Sequence, residues 1–440
     1  MKNIKMMVCL LFDSTQVYNG RFDYAKYKHS RRAKAHLNVI LILLLGLFSN
    51  NSKAQQLQSF LLEAESNNPE IRAYNLRYNI AEEKVHEANW LPNTEISAGY
   101  FVIEPETRTG AQRARFSARQ MLPWFGTITA RENYASAMAD TEYVNIVIAK
   151  RKLALSVSQL YYSLYAIKEI QKILDENIQL LKTYEKLALA SVEVGKASAV
   201  DVLRLQIRQN ELQQQKDVLN EAYTGEQTAF NKLLNRDVTM TVAILEPLLL
   251  PSEDMLFNEE ALQLNPELIK YDKLYESIAQ SEMLNKLDSN PMIGFGVDYV
   301  PVSERPDVSF SDNGKDIFMP MVSVSIPLFN KKYDSKTKQN ELKQLAITAE
   351  KDNRLLVLES AFAKAVSQRN QARIVYNTQT KNVSQAKNAE EILIKNYETG
   401  TIDFNDVLDI QELQLKFQKN QIDAIKTYYM QTAIVHYLIN

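Results

Sequence analysis

Glycine and proline are scarce in this chain. Glycine supplies 11 of the 440 residues and proline 12, against about 7% and about 5% in average proteins. Proline is missing altogether from Trp124 to Glu246 and from Leu328 to Asn440. Runs this long without proline, rich in Ala, Leu, Gln, Glu and Lys, exclude a turn-rich fold and predict very long helices. Cysteine occurs once, as Cys9, which excludes a disulfide framework. Histidine occurs four times, and only His86 and His436 lie beyond residue 54. They are too far apart in sequence to suggest a metal site. No nucleophile elbow, phosphate loop or metal-ligand spacing is visible, so neither an enzyme nor a cofactor is expected.

The N-terminal segment has its own logic. "HSRRAK" is a basic run, and Leu37–Phe48 is an apolar run of 12 residues, too short for a comfortable membrane span. "NSKAQ" then offers Ser52 and Ala54 at the small-residue positions of a cleavage site. This reads as an export signal cut after Ala54, behind a long leader, with Cys9 removed alongside it. Residues 1–54 carry 9 Lys and Arg against 2 Asp and Glu, leaving 42 against 51 and a net charge of −9 beyond them. A chain this acidic is not expected to bind nucleic acid.

Beyond residue 54 the chain is written twice. "NPEIRAYNLRYNIAE" begins at Asn68 and "NPELIKYDKLYESIAQ" at Asn265. "MLPWFG" contains Pro123 and "SIPLFN" contains Pro327. "SVEVGKASAVDVLRLQ" and "NYETGTIDFNDVLDIQ" share Glu, Gly, Asp-Val-Leu and Gln in register. The offset grows by seven between Pro266 and Pro327, which assigns the second copy an insertion in the loop Pro301–Lys315. The expected division is a leader and signal at 1–54, a first repeat at 55–235, a linker at 236–256 and a second repeat at 257–440.

Each repeat reads helix, strand, strand, long helix, turn, helix. The first helix is expected over Leu57–Asn89. Strands are expected within 93–121 and 292–327, where apolar and polar residues alternate: Ile96, Ala98 and Tyr100 against Ser97 and Gly99, and Val322, Val324 and Ile326 against Ser323 and Ser325. Arg113, Arg115 and Arg119 share the polar side of their strand. Met319 and Met321 alternate on the polar side of theirs. Long helices are expected at about Thr127–Glu193 and Tyr333–Glu398. Leu153, Val157, Leu160, Leu164, Ile167, Leu174, Ile178, Leu181 and Ala188 step by threes and fours along a coiled-coil seam in the first. Gly195 and Gly400 then end the long helices. Ser198 and Asp403 are N-caps, and Asp201 and Asp406 occupy the acidic place of a capping box. The doubled stretch is a tight helical reversal, made once per repeat.

Four strands with one apolar face are too few to close a barrel, and an open sheet edge in a membrane costs several kcal/mol per unpaired group. Three chains would supply twelve strands, an allowed number for an outer-membrane barrel. With the motifs quoted, the chain resembles the TolC-like outer-membrane efflux family over essentially Leu57–Asn440. The resemblance implies a mainly α protein with a membrane β-barrel part: a homotrimer with a 12-stranded barrel in outer-membrane lipid on a long periplasmic α-helical barrel. It implies work with a periplasmic adaptor and an inner-membrane pump, of the RND type, in heavy-metal or drug efflux. The tips Val194, Gly195, Lys196 and Ser198, and Thr399, Gly400, Thr401 and Asp403, become adaptor-docking candidates. Asp406, Asp409, Asp201 and Tyr397 become candidates for the periplasmic gate, with Asp406 and Asp409 three apart on one helix face. The position of the family's frequent basic residue after the second glycine is Ile402 here, which implies a latch built differently. Arg113, Arg115 and Arg119 become barrel-lumen candidates. The competing expectation is a soluble periplasmic coiled-coil adaptor or scaffold.

Overall fold

The structure is a computed structural model. It describes residues 52–439 apart from 196–197, 245–246, 400 and 403, with side chains from residue 56 onward. Leu57–Asn440 form one compact unit. The signal run Leu37–Phe48 lies outside the described residues; among those described, no helix is long and apolar enough to cross a membrane.

The expected first helix is two helices, α1 (Ser52–Asn67) and α2 (Pro69–Glu87). The break comes from "NPE". Pro69 cannot donate to the preceding turn, and Asn68 is extended at φ −67° and ψ 125°. Asn68 Oδ1 accepts from the Glu70 amide at 2.9 Å, while Asn68 Nδ2 donates to the Leu233 carbonyl at 3.0 Å. The second copy repeats this. After a 3₁₀ turn at Glu259–Leu264, Asn265 caps α5 (Pro266–Asp288) through Glu267 at 2.9 Å and donates to the Leu438 carbonyl at 2.8 Å. One asparagine thus starts a helix and ties it to the end of the last helix of the same repeat.

The long helices are α3 (Thr127–Glu193) and α6 (Lys332–Glu398), each of 67 residues. Each turns back into a shorter partner, α4 (Ala199–Leu233) and α7 (Phe404–Ile439). At about 1.5 Å per residue each long helix runs on the order of 100 Å. Along the expected seam Leu153, Val157, Leu164, Leu174, Ile178, Leu181 and Ala188 are buried, while Leu160 and Ile167 are half-buried beside buried Tyr161 and Ala166. Each repeat has a core near its asparagine brace: Phe60, Val157, Leu164 and Phe230 in the first, Leu268, Leu358, Phe362 and Val435 in the second. A third core, with Leu181, Leu205, Tyr397 and Val407, joins the two hairpins toward their tips.

Between the proline-capped and long helices of each repeat run two strands. These are β1 (Glu95–Tyr100) and β4 (Ala114–Leu122), then β5 (Met292–Val300) and β6 (Ile317–Ser325). They form one antiparallel sheet in the order β1-β4-β5-β6, so the two hairpins join between β4 and β5. A small hairpin of β2 (Glu106–Thr107) and β3 (Gly110–Ala111), unforeseen in the sequence, fills the first strand connection. The loop of the second hairpin binds it: Ser303 N donates to Ala111 O and Gly314 N to Thr109 O, both at 2.8 Å.

The stretch between the repeats is a strap. Arg373 on α6 makes two hydrogen bonds to Asp254, at 2.9 and 2.6 Å, and a third to the Pro251 carbonyl at 2.8 Å. On α7, Tyr428 donates to Asp254 at 2.7 Å and Tyr429 to the Leu249 carbonyl at 2.5 Å.

Candidate functional site: helix tips and sheet

At the first tip the backbone does what glycine permits. Gly195 sits at φ 71°, the left-handed region that closes a helix. Ser198 caps α4: its hydroxyl accepts from Val200 N at 3.2 Å, and Asp201 Oδ2 accepts from Ser198 N at 3.2 Å. Both halves of the capping box are therefore made. Val194 is exposed. Lys196 at this tip, and Gly400 and Asp403 at the second, lie outside the described residues. At the second tip Thr399 caps α6, its amide donating to Lys395 O at 3.2 Å, and Thr401 Oγ1 donates to the Asn396 carbonyl at 2.8 Å.

The four gate candidates divide into two pairs. Asp201 is only 7% exposed and engaged in its cap, with Arg204 Nη1 3.9 Å away. Tyr397 is buried with its ring 4.8 Å from Phe404 at 70°, and Phe404 in turn meets Tyr184 at 5.8 Å. Asp406 and Asp409 instead stand exposed at the start of α7. Asp201 and Asp406 are repeat equivalents, so the duplication has diverged: one carboxylate turns into its own hairpin and the other to solvent.

Two links across the hairpins were not foreseen. Arg204 on α4 donates to Asn405 on α7. Tyr184 on α3 donates to Glu390 on α6 at 2.8 Å, both side chains buried. Burial, then the carboxylate partner, pushes the Tyr184 phenol well above its ordinary range. A signal for this pair exists in the sequence, since Glu390 is a charged residue at a seam position between Ala386 and Tyr397.

The sheet sorts its side chains sharply. By register one face carries Ile96, Ala98, Tyr100, Phe116, Ala118, Leu122, Ile293, Phe295, Val297, Tyr299, Phe318, Val322 and Val324. Ile96 is 82% exposed, Tyr100 72%, and Phe318 and Val322 71% each. The other face carries Glu95, Ser97, Arg115, Ser117, Arg119, Asp298 and Ser323. Arg115 pairs with fully buried Asp298. Arg119 stands opposite Glu95. Arg113, exposed beyond the start of β4, has its amide on the Pro301 carbonyl at 3.1 Å. β1 and β6 each have one unpaired edge within the chain.

No protein-family model and no curated protein matches this sequence. Solved structures do. CusC, described for its folding and transmembrane channel formation, aligns at a TM-score of 0.71 with 12% identity, covering 88% of this chain and 92% of its own. The outer-membrane protein VceC of Vibrio cholerae aligns at 0.69 with 16% identity, over 87% and 96%. The MtrE outer-membrane channel of Neisseria gonorrhoeae, in its open state, aligns at 0.68 with 14% identity, over 87% and 88%. Strap, doubled helical hairpins and four-stranded sheet together give this chain the fold of the TolC-like outer-membrane efflux channels.

Proposed function

We propose that three copies of this chain form an outer-membrane channel, the exit duct of a tripartite efflux system fed by an inner-membrane pump through a periplasmic adaptor. The observation that carries this reading is the sheet. A whole face of aromatic and branched apolar side chains is turned to the outside, with a strand edge left open at each end. In water such a face would drive association, and in lipid the open edges are prohibitive. Pairing β1 of one copy with β6 of the next removes every edge, and closes twelve strands with the polar face and Arg115 and Arg119 inward. The soluble adaptor alternative finds no support, because it accounts for neither the apolar face nor the duplicated frame. The helix tips are then the periplasmic entrance and the docking surface, Val194, Gly195, Ser198, Thr399 and Thr401 among them. Asp406 and Asp409 supply six carboxylates around the axis of a trimer. Asp201 and Tyr397 hold the tip in shape behind them. The cargo class is heavy-metal ion or drug.

The test has two arms. The protein is expected in the outer membrane as a trimer resistant to salt extraction; a soluble periplasmic monomer would overturn the channel reading. In a planar bilayer, clustered carboxylates should make the channel cation-selective and open to block by a trivalent cation from the tip side. Asp406→Asn with Asp409→Asn keeps size and removes charge, and should lose most of that block. Equal block in both proteins would move the gate elsewhere.

A further inference from the structure

The polar face of the sheet carries more sulfur than a water-facing surface calls for. Four of the chain's 12 methionines stand on the sheet, Met121 on β4, Met292 on β5, and Met319 and Met321 on β6. By register all four lie on the polar face, with Arg119, Asp298 and Ser323. Methionine serving as apolar filler would be expected on the face that carries Phe, Val and Ile; none stands there.

The backbone makes room for these side chains. On β5 the polar-face positions between the methionines are Gly294 and Gly296. Strands two apart in a sheet lie about 10 Å from each other. Even so, Met121 Sδ on β4 is 3.9 Å from Ser323 Oγ on β6. The side chain crosses β5 over Gly294, where an added Cβ would run into both atoms. Met321 leans the other way: its Cε would lie 3.5 Å, and Arg119 Cγ 3.1 Å, from a Cβ at Gly296. The two glycines leave room over β5 for thioether side chains reaching in from β4 and β6. Met319, 43% exposed, continues the row on β6. Of the nearby guanidinium groups, Arg115 pairs with Asp298, and Arg119 stands opposite Glu95 by register.

Thioether sulfur is a soft ligand that favours Cu(I)-like ions over Mg(II) or Ca(II). Among the described residues no group of three or more His, Cys, Asp or Glu is placed to hold a harder metal. We propose that Met121, Met321 and Met319 form a weak binding surface for soft monovalent metal ions, repeated three times around the barrel lumen. The inference rests on the channel reading for that lumen. Weak, repeated sites suit a duct, where an ion must bind well enough to enter and loosely enough to leave.

Silver nitrate in chloride-free buffer is the probe, applied to the detergent-purified trimer, from which Cys9 has been removed with the leader. Peroxide oxidation of each methionine is read by peptide mass spectrometry with and without silver. Silver should slow oxidation of Met121, Met319 and Met321 several-fold and leave the helix methionines Met138 and Met283, exposed outside the sheet, unchanged. Bound silver, measured by equilibrium dialysis, should fall several-fold in the Met121→Leu, Met319→Leu, Met321→Leu triple variant and not in a Met138→Leu, Met283→Leu control. Protection spread evenly over all methionines, or none, overturns the site, and it does so in the unmodified sheet even where the triple variant fails to insert. Single-channel conductance of the same preparation tests the channel reading separately: conductance without silver protection removes only the metal surface.

Discussion

At the scale of single residues, the tips are decided by one torsion and one buried pair. Gly195 has open space where a Cβ would go, so a substitution there meets no clash. The cost is the left-handed φ of 71°, roughly 1–2 kcal/mol for an ordinary L-residue and more for a β-branched one. Gly195→Val should therefore weaken the tip and its cross-linking to the adaptor, while Gly195→Asn, which tolerates that region, should keep both. Barrel insertion should be unaffected in either, and equal cross-linking in the two variants would show that this turn is not a docking tip. The buried pair makes a different prediction. Tyr184→Phe leaves the Glu390 carboxylate buried without its donor, a loss of about 1–3 kcal/mol. Adding Glu390→Leu should return part of it, since removing both polar partners costs less than removing one. Hydrogen exchange near residues 184 and 390 would report the difference.

At the scale of elements, the strap and the sheet each make one prediction. Asp254 is held below its ordinary value of 3.8: partial burial acts to raise it, but hydrogen bonds from Arg373 and Tyr428 and the charges of Arg373 and Arg369 outweigh that. A carboxylate depressed in the folded state adds stability that is complete above its unfolded value and fades as pH falls through the folded one. The strap should thus stay protected from protease at neutral pH and down to about pH 4, the ordinary range for Asp, then loosen. In Asp254→Asn protection should be weaker throughout and flat across that range. For the sheet, Val322 and Ser323 are neighbours on β6, both exposed in the chain and on opposite faces. Val322→Lys should cost about 2–4 kcal/mol near mid-membrane and reduce trimer yield, while Ser323→Lys should insert and alter selectivity. A soluble protein would tolerate both. The long helices, the strand faces and the first capping box were legible in the sequence because each is set by local chemistry: proline exclusion, period-two alternation, and Ser and Asp three apart. The α1–α2 break is signalled by "NPE" but is masked in the sequence by the helical period running on either side of it. The strap, the Arg204–Asn405 contact and the Tyr184–Glu390 pair join residues more than a hundred positions apart, and no local pattern encodes which distant partner such an Arg or Tyr will find.

At the scale of the whole molecule, the same duplication builds two long helices of one length. Both long helices hold 67 residues, start next to a strand of the shared sheet and end at a tip. Tyr184 stands nine residues before the last residue of its helix, Glu193, and Glu390 eight before Glu398, and the two side chains touch. The helices therefore act as matched rulers, and this limits how such a chain can change over time. One residue lost from α3 alone would lower its tip by about 1.5 Å and swing every later side chain by about 100°. Tyr184 would leave Glu390, and the seam would turn to face the wrong neighbour. Point substitutions on the outer faces are free to accumulate, which fits a solved structure of this fold sharing only 12% identity with the chain. Length is not free in that way. It can change only in whole seam periods and only in both halves together, so the span of the paired helices should stay fixed long after the sequence that draws it has been rewritten.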